Sequence, residues 1–199
     1  MVGQREPQHM TVEEWREFER ANPDVKYEYI DGQVYMMSGG SLAHARISSN
    51  TLRVLEDALV SEPCYVYNSD ASVRLAESRY TYPDISVSCD PSDQPTTEQL
   101  QVQAPRVVVE VLSDSTEGKD RIRKANLYHA CPTIQEYVLI ATKYQAVEVQ
   151  RRAGDEWTLH LFGPEDEIEL ASLDIRFPLS ILYRGTTIPE MLNGQGEFA

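Results

Sequence analysis

Runs of continuous and alternating apolar residues divide this chain into helices and strands before any other property is considered. A helix is predicted from Thr11, where Thr11-Val12-Glu13-Glu14 makes a capping-box pattern ahead of apolar Trp15 and Phe18; Asn22-Pro23-Asp24 ends it. Two β-prone runs, Lys26–Ile30 and Gln33–Met37, flank Asp31-Gly32 and predict a hairpin. After a loop at Ser38–Ser41, a helix is expected from about Leu42 to Leu59, with Ile47, Leu52, Leu55 and Leu59 as its inner stripe. Short strands follow at Cys64–Tyr67 and Ala71–Leu75, joined by a turn at Asn68–Asp70, and one further strand is expected over Tyr80–Cys89. Asp90 to Gln103 is rich in Pro, Ser, Thr, Gln and Asp and reads as an exposed loop or short helix.

The most apolar stretch is Val107–Leu112, opened by Pro105 and closed by Ser113-Asp114-Ser115-Thr116, and it predicts a buried strand. A helix over about Glu117 to Ala130 and an apolar strand at Glu136–Ala141 make the region 106–141 a strand–helix–strand unit with a parallel pair. Ala146–Arg151 and Trp157–Phe162, turning at Gly154-Asp155, predict an antiparallel hairpin at the sheet edge, and Pro178–Tyr183 a short terminal helix. The expected fold class is α/β, a mixed β-sheet flanked by helices. It is expected as a single domain over 11–189, with flexible ends at 1–10 and 190–199.

One residue breaks the pattern. Glu110 stands among the valines, where an unpaired carboxylate would cost several kcal/mol, roughly, on burial. Either a buried Lys or Arg neutralises it, or a metal ion or cleft water does. Asp84 follows Pro83 at the start of a strand whose apolar set is Ile85, Val87 and Cys89, so it points to the opposite face with Ser86 and Ser88. If the two strands are neighbours, the two carboxylates converge. Two carboxylates, a backbone carbonyl and waters are what Mg²⁺ or a similar hard ion takes. On the following helix, Asp120, Lys124, Leu127, Tyr128 and Cys131 share one face, and the apolar members turn it inward, bringing Lys124 toward the sheet. Such an ammonium can orient a nucleophile or offset charge on a phosphate; the plainer reading is a surface Asp120–Lys124 pair. Glu28, between Tyr27 and Tyr29, is a candidate general base or second-metal ligand. His44 is a candidate proton carrier or phosphate contact, and Arg46 and Arg53 add positive charge to its helix.

Charge narrows the substrate classes. Eighteen Lys and Arg face 32 Asp and Glu, a net −14, so nucleic-acid binding requires a local basic patch, a divalent ion, or an oligomer that concentrates the cations. Three widely spaced cysteines without a Cys-x-x-Cys pair fit a reducing cytosol, and argue against a disulfide framework and against structural zinc. No apolar run approaches the length of a membrane span, and the N-terminus lacks an apolar signal region, so a cytoplasmic location without membrane contact is expected.

Taken in order, Lys26-Tyr27-Glu28-Tyr29-Ile30-Asp31-Gly32, His44, Pro83-Asp84, Val109-Glu110-Val111-Leu112-Ser113, Ser115-Thr116, Asp120, Lys124, Tyr128 and Glu136-Tyr137 resemble the Uma2 family, a bacterial group placed in the PD-(D/E)xK nuclease superfamily. The similarity runs from about Thr11 to Pro189. It implies a restriction-endonuclease-like core and Mg²⁺- or Mn²⁺-dependent endonucleolytic hydrolysis of nucleic acid, DNA first, leaving a 5′-phosphate and a 3′-hydroxyl. The implied metal ligands are Asp84, Glu110 and the Val111 carbonyl. Lys124 assists the attacking water, and Glu28 matches the family's N-terminal acidic position. His44, Arg46, Asp120 and Tyr128 are candidate substrate contacts. Leu112 stands where the superfamily's motif lysine would be, and Lys124 matches the displaced lysine of Uma2-like sequences. Asp114, Cys131-Pro132-Thr133-Ile134 and Ala141-Thr142 also depart from the usual pattern without removing a ligand. A homodimer is expected from the edge hairpin and an exposed Trp157. The alternatives are a catalytically quiet interaction or regulatory module on the same fold, and a hydrolase of a small phosphorylated substrate.

Overall fold

The computed structural model describes residues 9–37, 39–113 and 117–190, with backbone alone at 117–120. The expectations for residues 1–8, for the turn at 114–116, for the Asp120 side chain and for the tail beyond 190 fall outside that description.

Thr11 caps the first helix, α1 (Val12–Ala21), through the reciprocal Thr11–Glu14 capping box. The hairpin β1 (Tyr27–Ile30) and β2 (Gln33–Met36) turns at Asp31 and Gly32, both at positive φ. Helix α2 (Leu42–Ala58) follows, capped by Ser41 and burying Ile47 and Leu55. The next strands are β3 (Tyr65–Asn68), β4 (Ser72–Ala76), β5 (Arg79–Thr81), β6 (Ile85–Ser88), β7 (Gln101–Val102) and β8 (Val107–Val111). Helix α3 (Glu117–Ala130) leads to β9 (Glu136–Ile140), β10 (Val147–Ala153), β11 (Glu156–Phe162), β12 (Glu167–Leu170) and β13 (Ile175–Pro178).

The mixed α/β class holds, but the single sheet expected from the sequence is corrected: the described residues form two mixed sheets and a two-stranded ribbon. One sheet runs β2-β1-β5-β4-β7, the other β11-β10-β9-β8-β6-β3, and β12 pairs with β13. The run Tyr80–Cys89 is two strands, because Tyr82-Pro83-Asp84 carries the chain from β5 in one sheet to β6 in the other. Likewise β3 and β4, adjacent in sequence, belong to different sheets. The parallel pair across α3 is present, with Val107 opposite Glu136 and Val111 opposite Ile140.

The six-stranded sheet is central and packed with apolar residues on both faces, which is why β8 is valine at every position except Glu110. Val107, Val109 and Val111 pack with Ile47 and Leu55 of α2 and with the ribbon. Val108 and Leu112 pack on the other face with Leu127 and Tyr128 of α3 and with Ile30, Val73 and Val102 of the smaller sheet.

Three further expectations are corrected. The 90–103 segment is not simply exposed: Asp93 is buried and accepts hydrogen bonds from the Ser88 hydroxyl and from the backbone N–H groups of Gln103 and Ala104. The terminal helix is a single 3₁₀ turn, Leu179–Ile181. Cys64 and Cys89 form a disulfide, their Cα atoms 4.0 Å apart, because the β3–β6 register that pairs Tyr65 with Ser88 sets them opposite one another. The argument for a reducing compartment therefore loses its support. Among the described residues, no helix is long and apolar enough to cross a membrane.

Candidate metal-dependent active site

The site forms where β8 ends. Glu110 alternates onto the α3 face of the sheet with Val108 and Leu112 and is buried. Helix α3 crosses above it with Lys124 and Tyr128 directed at the same carboxylate oxygen. Lys124 Nζ lies 2.8 Å, and the Tyr128 hydroxyl 2.6 Å, from Glu110 Oε1. Glu28, on the β1 face opposite Tyr29, meets the same lysine at 3.3 Å and Arg123 at 3.6 Å. Glu110 thus has the lysine partner of the ion-pair reading, and it also lines a cavity.

Asp84 reaches the site from the neighbouring strand. The antiparallel register pairs Ile85 with Val109, and one step further sets Asp84 opposite Glu110. Asp84 Oδ2 accepts the Val111 amide at 2.8 Å and lies 3.2 Å from His44 Nε2. The N–H and C=O of an extended residue point the same way, so the Val111 carbonyl is turned toward the Asp84 side as well. His44 is delivered by the first turn of α2, where Ser41 accepts its backbone amide. Gly40 allows the approach: a Cβ there would lie 2.6 Å from the His44 ring.

The electrostatics follow from burial. Loss of solvent pushes the Glu110 carboxyl up to about 7; Lys124 opposes the shift, and Asp84 and Glu28 add to it. Burial disfavours the charge on Lys124, but Glu110 and Glu28 outweigh it and hold its pKa above the ordinary value. This favours the charged, hydrogen-bond-donating form of the lysine. Burial, reinforced by Glu110, also raises Tyr128, which stays a donor. The hydrogen bond to Asp84 raises His44 against an opposing effect of burial.

The expected residues are placed as follows. Glu28, His44, Asp84, Glu110, Val111 and Lys124 line one cleft of about 310 Å³. Tyr128 as a substrate contact is corrected: it is fully buried beneath Glu110 and supports that carboxylate from below. Arg46 is exposed and is not among the cleft-lining residues. Arg53 pairs with Asp57 on the α2 surface. Trp157, expected to be exposed at a dimer edge, is instead partly covered; its ring stacks on His129 at 4.0 Å and carries the Arg152 guanidinium at 4.5 Å. Two contributors were missed. Arg123 lines the cleft with its guanidinium 4.1 Å from the centre of the Tyr35 ring. Its position beside Lys124 on α3 was a usable signal, while Tyr35 carried none.

The donor set suits a hard divalent ion. Each of the opposed carboxylates has one oxygen held by protein donors, Oδ2 of Asp84 and Oε1 of Glu110. Their other oxygens make no hydrogen bond among the described residues, and with the Val111 carbonyl, which His44 also contacts, they would offer an ion oxygen ligands only. No cluster of three or more His, Cys, Asp and Glu that could hold an ion occurs among the described residues. An ion here would complete its shell with water, as Mg²⁺ commonly does.

A solved structure described as a putative nuclease belonging to DUF820, from Anabaena variabilis ATCC 29413, superposes with a TM-score of 0.63 at 22% identity, over 79% of this chain and 89% of that one. At that identity the likeness establishes the fold. The uncharacterized protein sll1609 of Synechocystis sp. is 33% identical over 153 residues, 75% of this chain and 86% of that protein. The uncharacterized protein slr1290 of the same organism is 35% identical over 178 residues, 88% of this chain and 92% of that protein. The family model of Uma2, described as "Putative restriction endonuclease", matches residues 12–181, and the chain belongs to the Uma2 family.

Proposed function

We propose that this protein is a Mg²⁺- or Mn²⁺-dependent nuclease that hydrolyses phosphodiester bonds at the Asp84–Glu110 cleft. The observation that carries the reading is the pairing of these acids across adjacent strands, each with one oxygen held by protein donors and the other left for a ligand. A divalent ion held by Asp84, Glu110 and the Val111 carbonyl would polarise a phosphoryl oxygen and lower the pKa of an attacking water. The chain's own residues do the rest. Lys124, fixed between Glu110 and Glu28, presents a positive charge to the developing charge at phosphorus and orients the water by hydrogen bonding. Tyr128 fixes the Glu110 carboxylate, and the Val111 amide and His44 fix that of Asp84. Glu28 is buried, and its pairing with Lys124 and Arg123 makes it their brace.

The test is cleavage of DNA and RNA with Mg²⁺ or Mn²⁺ by wild type, Asp84→Ala and Glu110→Ala. Both variants are expected to lose about 10²–10³-fold in rate, the size of a lost electrostatic contribution. Equal cutting by wild type and variants would remove this site as the catalyst. Calorimetry without divalent-ion binding would favour the quiet module.

A further inference from the structure

The metal-candidate cleft does not end at Asp84. It opens into a second, larger groove of about 650 Å³, and the two share a rim that includes Met36, Met37, Gly40, His44 and Asp84. Each volume lies within the roughly 300–1,000 Å³ typical of sites for small molecules. The walls differ in chemistry. The first cleft gathers Glu28, Glu110, Arg123 and Lys124, whereas the groove, which also carries Asp24 and Lys26, presents neutral hydroxyls and an amide from Ser48, Ser49, Asn68 and Ser69 beside apolar Leu52 and Val25.

Charge sets how much phosphate the combined surface can hold. Its carboxylates are Asp24, Glu28, Asp84 and Glu110. Its Lys and Arg side chains are Lys26, Arg123 and Lys124, so four acids against three cations give −1, and one divalent ion would bring the sum to +1. Lys26 is already paired with Asp70 at 2.5 Å. Elsewhere Arg79 binds Asp31, Arg121 binds Glu148, and Arg151 and Arg176 bind Glu169. A protein that tracks duplex DNA neutralises about six to ten phosphates. This surface can neutralise about one.

We propose that the substrate segment is single-stranded nucleic acid. One phosphodiester lies at Asp84 and Glu110 with Arg123 facing it, and an adjoining unpaired nucleotide lies in the groove along α2. The neutral hydroxyl and amide groups there suit base edges and sugar, which a paired base in a duplex would keep out of reach. The proposal rests on the nuclease reading and names the substrate class of that same site.

Fluorescence anisotropy with a short DNA oligonucleotide, single-stranded or annealed to its complement, tests it in Ca²⁺, with cleavage in Mg²⁺ and Mn²⁺ run in parallel. The single strand is expected to bind at least about tenfold tighter than the duplex. Its log K against log salt should be no steeper than about −1.5, the value for two neutralised phosphates. Ser49→Trp, on the exposed side of α2, should weaken single-strand binding at least about tenfold by filling the groove. Calorimetric ion binding unchanged in that variant would show that its fold and ion site are intact. Equal or tighter duplex binding, a slope near −5, or full binding by Ser49→Trp would overturn the substrate assignment while leaving the nuclease reading standing, provided cleavage is lost in Asp84→Asn. Cleavage that survives Asp84→Asn, or no nucleic-acid binding at all, would overturn both.

Discussion

At the scale of single residues, Glu110 holds two conditions in balance: burial favours its protonated form and Lys124 its charged form. Its folded-state pKa of about 7 lies above the ordinary 4.5. Between those values the folded chain keeps a proton that the unfolded chain has released, so this group's contribution to stability falls as pH rises through the window. A divalent ion competes with the same proton. Ion affinity is therefore expected to rise about tenfold per pH unit up to about pH 7 and then level off, as measured by calorimetry across pH. Glu110→Gln should bind weakly at every pH. Tyr128→Phe removes the 2.6 Å hydrogen bond that supports the carboxylate form, so the midpoint should move upward while the fold persists. A Tyr128→Phe profile superimposable on wild type would show that the tyrosine does not position Glu110. Glu110 and Lys124 were legible in sequence, one as an acid inside a valine run, the other as a cation on an inward helix face. Arg123 and Tyr35 were not, because their contact joins a helix to a hairpin some 90 residues away in sequence, and local spacing carries no trace of it.

At the scale of elements, buried polar locks hold the strands that carry the site. Glu136, fully buried at the start of β9, accepts from Arg151 at 2.8 Å and from the Ser172 hydroxyl at 2.6 Å, tying β10 and the segment before β13 to the central sheet. Glu136→Gln leaves Arg151 short of a partner and is expected to cost about 3 kcal/mol, the lower end for breaking a buried pair, because Glu169 still binds the arginine. Thermal denaturation should show Tm lower by roughly 6–12 °C. The Cys64–Cys89 bridge joins β3 to the far end of β6, the strand that Asp84 precedes. Thiol titration of the unfolded, unreduced chain is expected to find one free thiol, Cys131, and reduction should lower stability by about 3 kcal/mol in denaturant unfolding. Finding three thiols would remove the bridge. Most element types were legible because capping, turn chemistry and periodicity are local: Thr11 to Glu14 and Asp31-Gly32 behaved as their sequence indicated. The sheet assignment of β3 and β4 was not, since a turn at Asn68–Asp70 is compatible with strands that pair and with strands that part.

At the scale of the molecule, a net charge of −14 favours a divalent cation and opposes a polyanionic substrate, so a bound ion would supply positive charge that the chain as a whole lacks. Binding an ion to the folded state alone stabilises it by mass action, about 2.7 kcal/mol at one hundred times Kd. Saturating Mg²⁺ or Mn²⁺ should then raise Tm by roughly 5–10 °C in wild type. The same addition should raise Tm much less in Asp84→Asn, where only screening of the net charge remains. Equal shifts in the two proteins would mean that the ions act through general screening and not through this site.

The sequence by itself determined the helices, most strands, the acids, the lysine and the family pattern, because each is written in spacing, turn residues or composition within a few positions. Only the tertiary structure decided that Asp84 lies opposite Glu110, that Lys124 and Tyr128 meet one carboxylate oxygen while leaving the other, and that Arg123 joins them over Tyr35. Those facts depend on which strands become neighbours and how a helix is rotated upon them. Packing of the whole chain selects both, and no local run of residues specifies either. The valine strand around Glu110 shows the division: its burial was written in its residues, and the partners that make its acid useful were written in the fold.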